Sequence, residues 1–82
     1  VSRFAADLDL PPSVRTRAND LVKDAVGAGR VTGSPPSSVA AAAIYVAGGE
    51  AGLGLTQKTV AAACGTTDTT IRSQARVVAG DR

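Results

Sequence analysis

The chain has 82 residues, of which 44% are hydrophobic and 2% aromatic, with a net charge of +2, one cysteine and no histidine. A chain of this length forms one small domain, which buries only about 60% of its unfolded surface. A single cysteine excludes an internal disulfide framework, and a zinc site would need ligands that the chain lacks. The longest apolar run, residues 39–47, is well short of the roughly 20 residues that span a membrane, so we expect no membrane partner.

Alanine and valine dominate the apolar residues, and Phe4 and Tyr45 are the only aromatic ones. Such small side chains suit closely packed helices better than a sheet, so the composition predicts an all-α domain. The pattern of residues gives five helical segments. The first lies within residues 1–10, where Phe4 and Leu8 share a face, and two prolines stop it.

The second segment is predicted over residues 14–28, with Ser13 as its N-cap and Gly27 and Gly29 at its end. Its apolar residues follow helical spacing, and its charged residues take the solvent side. The predicted core positions are Val14, Ala18, Leu21, Val22, Ala25 and Val26. The predicted solvent positions are Arg15, Arg17, Asp20, Lys23 and Asp24.

The third segment is predicted to begin after Ser34 as N-cap, because Pro35 and Pro36 are tolerated in a first turn. Residues 39–47 are apolar on every face, which is typical of a buried helix, and we expect this helix to lie at the centre of the domain. Residues 48–55 read as a glycine-rich connection. They follow a helix and contain no Gly-Lys-Thr, which argues against a phosphate-binding loop.

The last two segments, residues 56–64 and 68–78, are predicted to form a helix-turn-helix. Gly65 suits the left-handed conformation at the end of the first helix, and Ala61 lets the two backbones approach. Thr67 or Asp68 is expected to cap the second helix. The predicted inward face consists of Val60, Cys64, Ile71, Val77 and Val78, which makes Cys64 a buried apolar residue.

The outward face of this unit combines hydroxyl and guanidinium groups, which suit a DNA major groove. Arginine pairs with guanine through two hydrogen bonds, and threonine offers a hydroxyl or a methyl to a base edge. We favour Thr69 and Arg72 for bases, and Gln57, Lys58 and Arg76 for phosphates, because a recognition helix reads bases with its first turns. The whole net charge of +2 lies from residue 56 onward. The full candidate DNA-binding set is Gln57, Lys58, Thr67, Thr69, Thr70, Arg72, Ser73 and Arg76.

Four stretches together resemble the second cyclin repeat of archaeal transcription factor B, the counterpart of eukaryotic transcription factor IIB. They are R-F-A-A-D-L-D-L-P (3–11), G-S-P-P-S-S-V-A-A-A-A-I-Y-V-A (33–47), T-Q-K-T-V-A-A-A-C-G (56–65) and D-T-T-I-R (68–72). The resemblance implies a five-helix cyclin-like domain ending in a helix-turn-helix, a single repeat over residues 1–82 cut from a larger protein. Thr69 stands where the family usually has valine, and Gln74 and Ala75 stand where arginine and tyrosine are common.

The resemblance also implies a function. Proteins of this family recognise the complex of TATA-binding protein with promoter DNA and recruit RNA polymerase. Their second repeat reads the B recognition element upstream of the TATA box, which orients assembly of the preinitiation complex, and its base-contacting positions correspond to Thr69 and Arg72. The family's zinc lies in an N-terminal ribbon, so no cofactor is expected in this chain. The implied location is the cytoplasm, at the archaeal nucleoid, or the nucleus of a eukaryote.

Three other functions compete with this interpretation. A cyclin-like module that binds only protein would not need the outward Lys58, Arg72 and Arg76. A dimeric helix-turn-helix repressor would need a dimer interface and a palindromic site, whereas we expect a monomer. An enzyme has the least support, because no histidine and no paired carboxylates provide acid–base chemistry.

Overall fold

Four α-helices make up the part of the chain described by a computed structural model, which covers residues 8–31, 33 and 35–80. They are α1 (Pro12–Gly27), α2 (Pro36–Glu50), α3 (Gln57–Cys64) and α4 (Asp68–Ala79). These residues include no strand, in agreement with the predicted all-α class. None of the four helices is both long and apolar enough to cross a membrane.

The first predicted segment falls mostly on residues 1–7, which lie outside the described residues, and so does Phe4. Its described remainder is not helical: Leu8 and Asp9 form a turn, and Asp9 has a positive φ of 54°. Leu10 is nevertheless buried against the core, with Leu8 packed beside it. The segment that precedes α1 is therefore packed against the core through these two leucines.

Helix α2 occupies the centre of the domain, as its apolar sequence predicted. It contacts α1, α3 and α4. Every residue from 38 to 44 is buried, and Ile44 is fully inaccessible to solvent. Five of these residues carry a side chain no larger than that of alanine or serine, so three helices can approach one axis closely. Tyr45 is half-buried at the edge of this core.

Helix α1 packs one stripe of apolar residues against α2. Val14, Ala18, Leu21 and Ala25 are buried, at helical spacings of four, three and four residues. The prediction was wrong for Val26, which is 59% exposed. Each residue advances about 100° around a helix, so Val26 lies far from the centre of the stripe, next to Ala25 in sequence but not on its face. The five predicted solvent positions are all exposed.

The predicted serine caps of α1 and α2 are replaced by prolines. Ser13 lies inside the first turn of α1, whose N-cap is Pro11, and the N-cap of α2 is Pro35, while Ser34 lies outside the described residues. Proline at the first helical position has a suitable φ, and its missing N–H has no helical partner anyway. Helix α1 therefore begins two residues earlier than Ser13 indicated, and α2 begins one residue later than Ser34 indicated.

Helix α2 extends three residues beyond the predicted end, through Gly48 and Gly49 to Glu50. Gly48 is buried, and a Cβ atom built on it would overlap the end of the Leu55 side chain. The glycine thus allows the 51–56 connection to fold back across the helix, and this tertiary contact offsets the low helix propensity of the glycine pair.

An ion pair joins the end of α2 to α1. The Arg17 Nε and Nη2 atoms donate to the two carboxylate oxygens of Glu50, at 2.8 and 3.2 Å. This hydrogen bond and the charge of Arg17 lower the pKa of Glu50, and the same carboxylate raises the pKa of Arg17. Because Glu50 is the last residue of α2, its charge would otherwise face the negative end of the helix dipole.

Substitution of the two adjacent glycines tests the close approach of Leu55. We expect Gly48→Ala to be less stable than Gly49→Ala by about 1–3 kcal/mol, because only the first must displace Leu55. Gly49 has open space around its Cα atom, so alanine there provides only the gain in helix propensity. Urea denaturation of both variants measures the difference, and equal stabilities would show that Leu55 does not need the space.

Replacement of Glu50 tests the ion pair through the pH dependence of stability. A carboxylate with a lowered folded-state pKa stabilises the fold above its ordinary pKa of 4.5, and this contribution is lost as the pH falls through the folded-state pKa. We therefore expect Glu50→Gln to unfold at a lower temperature than the wild type at about pH 7, and the difference to disappear at a lower pH, below the folded-state pKa of Glu50. A difference that persists at the lower pH would assign the effect to packing.

Candidate nucleic-acid interface

The last two helices each begin with the same threonine pair. The Thr56 hydroxyl oxygen accepts a hydrogen bond from the Thr59 N–H at 3.1 Å and donates to the Thr59 hydroxyl at 2.8 Å. Thr67 makes the same two bonds with Thr70, at 3.2 and 2.8 Å. Of the two predicted caps for the second helix, Thr67 is therefore the one observed. These bonds satisfy helix N–H groups and fix where each helix starts.

A three-residue connection, 65–67, joins α3 to α4. Gly65 is left-handed, with φ 69° and ψ 35°, and its N–H donates to the Ala61 carbonyl. The Thr66 N–H donates to the same carbonyl at 3.0 Å. Ala61 itself is buried. The short connection and the small, buried Ala61 agree with the predicted tight turn. Glycine is required at position 65 because any other residue would be strained in this left-handed conformation.

The inner face of α3 and α4 rests on the core. Val60, Ile71 and Val78 are fully inaccessible to solvent, and Cys64 is buried, as predicted. Val77 is only half-buried. Since Ile71 and Val78 are seven residues apart, they mark the centre of the buried stripe, and Val77 lies about 100° from it. These anchors leave the opposite face of α4 to solvent.

The candidate DNA-binding residues separate into exposed and half-buried groups. Gln57 and Thr70 are half-buried, and the Thr70 hydroxyl accepts a hydrogen bond from the hydroxyl of Thr67, the N-cap of α4. Thr70 is therefore placed to hold the helix start more than to reach a ligand. The exposed candidates are Lys58, Thr67, Thr69, Arg72, Ser73 and Arg76.

Three of the exposed candidates line one concave surface on α4. Arg72, Ser73 and Arg76 border an open cleft of about 300 Å³. Residues four apart on a helix lie on the same face, so the two guanidinium groups extend from one face with Ser73 beside them. This set offers many hydrogen-bond donors to an anion or to a base edge. Thr69 lies three residues before Arg72 and extends the same face towards the helix start.

The other candidates lie at the starts of the two helices. Gln57 and Lys58 lie in the first turn of α3, and Thr67 is the N-cap residue of α4. Asp68 adds a carboxylate at that end, and its Oδ1 atom accepts from the Thr69 N–H at 2.9 Å. An acidic residue in a first turn complements the positive end of the helix dipole. It also gives this end of the surface a local negative charge.

One residue near this unit was missed by the sequence analysis. Arg30 follows α1, and its Nε atom donates to the Val77 carbonyl at 2.9 Å. Its Nη2 atom lies 3.4 Å from the Val78 carbonyl. The partners are main-chain carbonyls 47 and 48 residues away in sequence, so no side-chain pattern marks the contact.

A second cleft lies where α1 meets the end of α2. It has a volume of about 190 Å³ and is lined by Ser13, Val14, Arg17, Ala47, Glu50 and Ala51. Its charged groups already bond to each other. Within the described ranges, no three histidine, cysteine, aspartate or glutamate side chains come together as metal ligands.

Comparison with known proteins gives one family. Residues 1–79 match the family described as "Transcription factor TFIIB repeat". The chain is similar to transcription initiation factor IIB of Pyrodictium occultum, with 43% identity over 74 residues, which are 90% of this chain and 24% of that protein. It is also similar to transcription initiation factor IIB 5 of Halobacterium salinarum, with 49% identity over 73 residues, 89% of this chain and 24% of that protein.

A third relative, transcription initiation factor IIB of Methanocaldococcus jannaschii, is 42% identical over 74 residues, 90% of this chain and 11% of that protein. The chain thus spans 24% or less of the length of these three relatives. All three come from archaea. The predicted resemblance to archaeal transcription factor B is confirmed at the level of the family.

Proposed function

The chain belongs to the transcription factor TFIIB repeat family, and on this premise we propose that α3 and α4 form a helix-turn-helix that binds promoter DNA. The family consists of general transcription initiation factors and not of enzymes, in agreement with the prediction from the sequence. The observation that carries the proposal is the cleft of Arg72, Ser73 and Arg76 on the solvent face of a helix whose other face is buried.

Helix α4 has the features of a recognition helix. It is anchored by Ile71 and Val78, and its opposite face presents Thr69 and Arg72 early in the helix, where base edges are usually read. The Arg72 guanidinium group provides two donors for the O6 and N7 atoms of a guanine. Thr69 provides a methyl group for a thymine or a hydroxyl for a base edge. We assign these two residues to base readout.

The remaining exposed candidates are assigned to the DNA backbone. Ser73 and Arg76 lie further along α4, where the helix leaves the groove, and Lys58 lies in the first turn of the preceding helix, which crosses the backbone in this motif. The half-buried Gln57 adds an amide donor beside Lys58. Thr67 and Thr70 contribute mainly by fixing the start of α4, because their hydroxyl groups bond to each other.

The wider role follows from the family. We propose that this chain is the second cyclin repeat of a general initiation factor and that it reads the B recognition element upstream of the TATA box. It would act as a monomer together with TATA-binding protein, orient the preinitiation complex and so help recruit RNA polymerase. Few phosphate contacts imply weak, salt-sensitive binding by the chain alone, and TATA-binding protein would supply the remaining affinity.

Two arginine variants separate base readout from backbone contact. We expect Arg72→Ala to lose about 1–3 kcal/mol of discrimination at one base position. Arg76→Ala should weaken binding to all sequences and reduce the slope of log K against log salt by about 1. Site selection and salt titration, performed on a promoter duplex with TATA-binding protein present, measure both effects.

The matched control is Arg15→Ala, which removes the same charge from an exposed position on α1. It should change neither base preference nor salt dependence beyond the small effect of net charge. If Arg72→Ala merely weakens binding to every sequence, Arg72 is a phosphate contact. If both α4 variants behave like the control, the chain is a protein-binding cyclin-like module without direct DNA readout.

A further inference from the structure

The C-terminal end of α4 is held by a residue from a distant part of the chain. Arg30 lies three residues beyond the end of α1, and its backbone N–H donates to the Ala25 carbonyl at 3.0 Å, so α1 fixes its position. From there its guanidinium group reaches the carbonyls of Val77 and Val78. These two carbonyls are among the last four of α4, for which the helix itself has no N–H group four residues further on.

We propose that Arg30 is a positioning residue for DNA readout. It fixes the C-terminal end of α4 and thereby sets the pose in which Arg72 and the other outward side chains meet DNA. This inference rests on the proposed DNA-binding function. Arg30 itself acts through the helix and is not assigned a DNA contact.

The charge and the geometry of the Arg30 guanidinium group both favour its contact with the C-terminal end of α4. A cation is favourable at the C-terminal end of a helix, where the carbonyl groups carry partial negative charge. The planar fork of arginine spans two successive carbonyls, which a lysine cannot do. Gly80 lies directly beside the guanidinium group, since a Cβ atom there would be 3.7 Å from the Arg30 Cζ atom. The glycine N–H also donates to the Val77 carbonyl, at 3.2 Å.

The effect on readout follows from the length of α4. A helix of 12 residues is about 18 Å long, so a tilt of about 5° around one end moves the other end by about 1.5 Å. Preorganised sites tolerate errors of only about 0.5 Å. Thr67 and Ile71 hold the first half of the helix, while the Arg30 contact and Val78 hold the second. Loss of the Arg30 contact would therefore displace Arg76 by about 1 Å and Arg72 by about 0.5 Å, which is the limit of this tolerance, without unfolding the helix.

Two variants of Arg30 test this proposal. In Arg30→Ala we expect amide hydrogen exchange to quicken by about two- to fivefold at residues 77–80, with the amide of Val60 unchanged, because the lost interaction is that of a cation with a helix end. Affinity for the promoter duplex should fall by a similar factor, and the preference at the base read by Arg72 should weaken. The salt slope should stay constant, since no phosphate contact is lost. Arg30→Lys should lie between the wild type and Arg30→Ala.

The control is Arg17→Ala. It also removes an exposed arginine and a bond between residues distant in sequence, but this bond joins α1 to Glu50 at the end of α2 and does not involve α4. It should leave affinity and base preference unchanged. A salt slope reduced by about 1 in Arg30→Ala would make Arg30 a phosphate contact and overturn the proposal. So would faster exchange with unchanged DNA affinity and preference, since the contact would then be structural only. If the wild type binds no DNA, the proposed function itself fails, whereas the exchange data still report whether Arg30 holds α4.

Discussion

The packing of the four described helices depends on the small side chains of α2. A run of alanines on one axis lets α1, α3 and α4 approach it from different sides, and each of these helices needs only one narrow apolar stripe in return. Alanine buries little area, so the core gains its stability from many close contacts and not from a few large side chains. A larger residue on any face of α2 would push a neighbouring helix outward.

This arrangement determines what α4 is able to present. Its inner stripe, centred on Ile71 and Val78, is used entirely by the core, and its polar residues are consequently displayed on the other face. The helix is held at its start by the Thr67 and Thr70 pair and near its end by Arg30. The arginine side chains of α4 therefore extend from a helix that is held at both ends. Side chains that recognise a ligand need such a well-fixed backbone.

The sequence predicts the parts of the fold that local chemistry controls. The bounds of α3 and α4, the left-handed Gly65 and the burial of Cys64 all follow from spacing and from residue type, and the resemblance places the chain in its family. The features that the sequence did not predict depend on tertiary contacts. Helix propensity alone could not extend α2 through Gly48 and Gly49, because the extension depends on Leu55 folding back. The Arg30 contact left no pattern, since backbone carbonyls accept bonds whatever their side chains are.

We propose that the outward face of α3 and α4 reads DNA. The most direct test is an amide chemical-shift titration of the chain with a short promoter duplex, with and without the sequence upstream of the TATA box. We expect shifts confined to residues 57–58 and 67–76 that depend on the upstream bases. If no amide shifts even at low salt, or if the shifts cluster on α1 and ignore the upstream sequence, α4 does not read DNA in this chain.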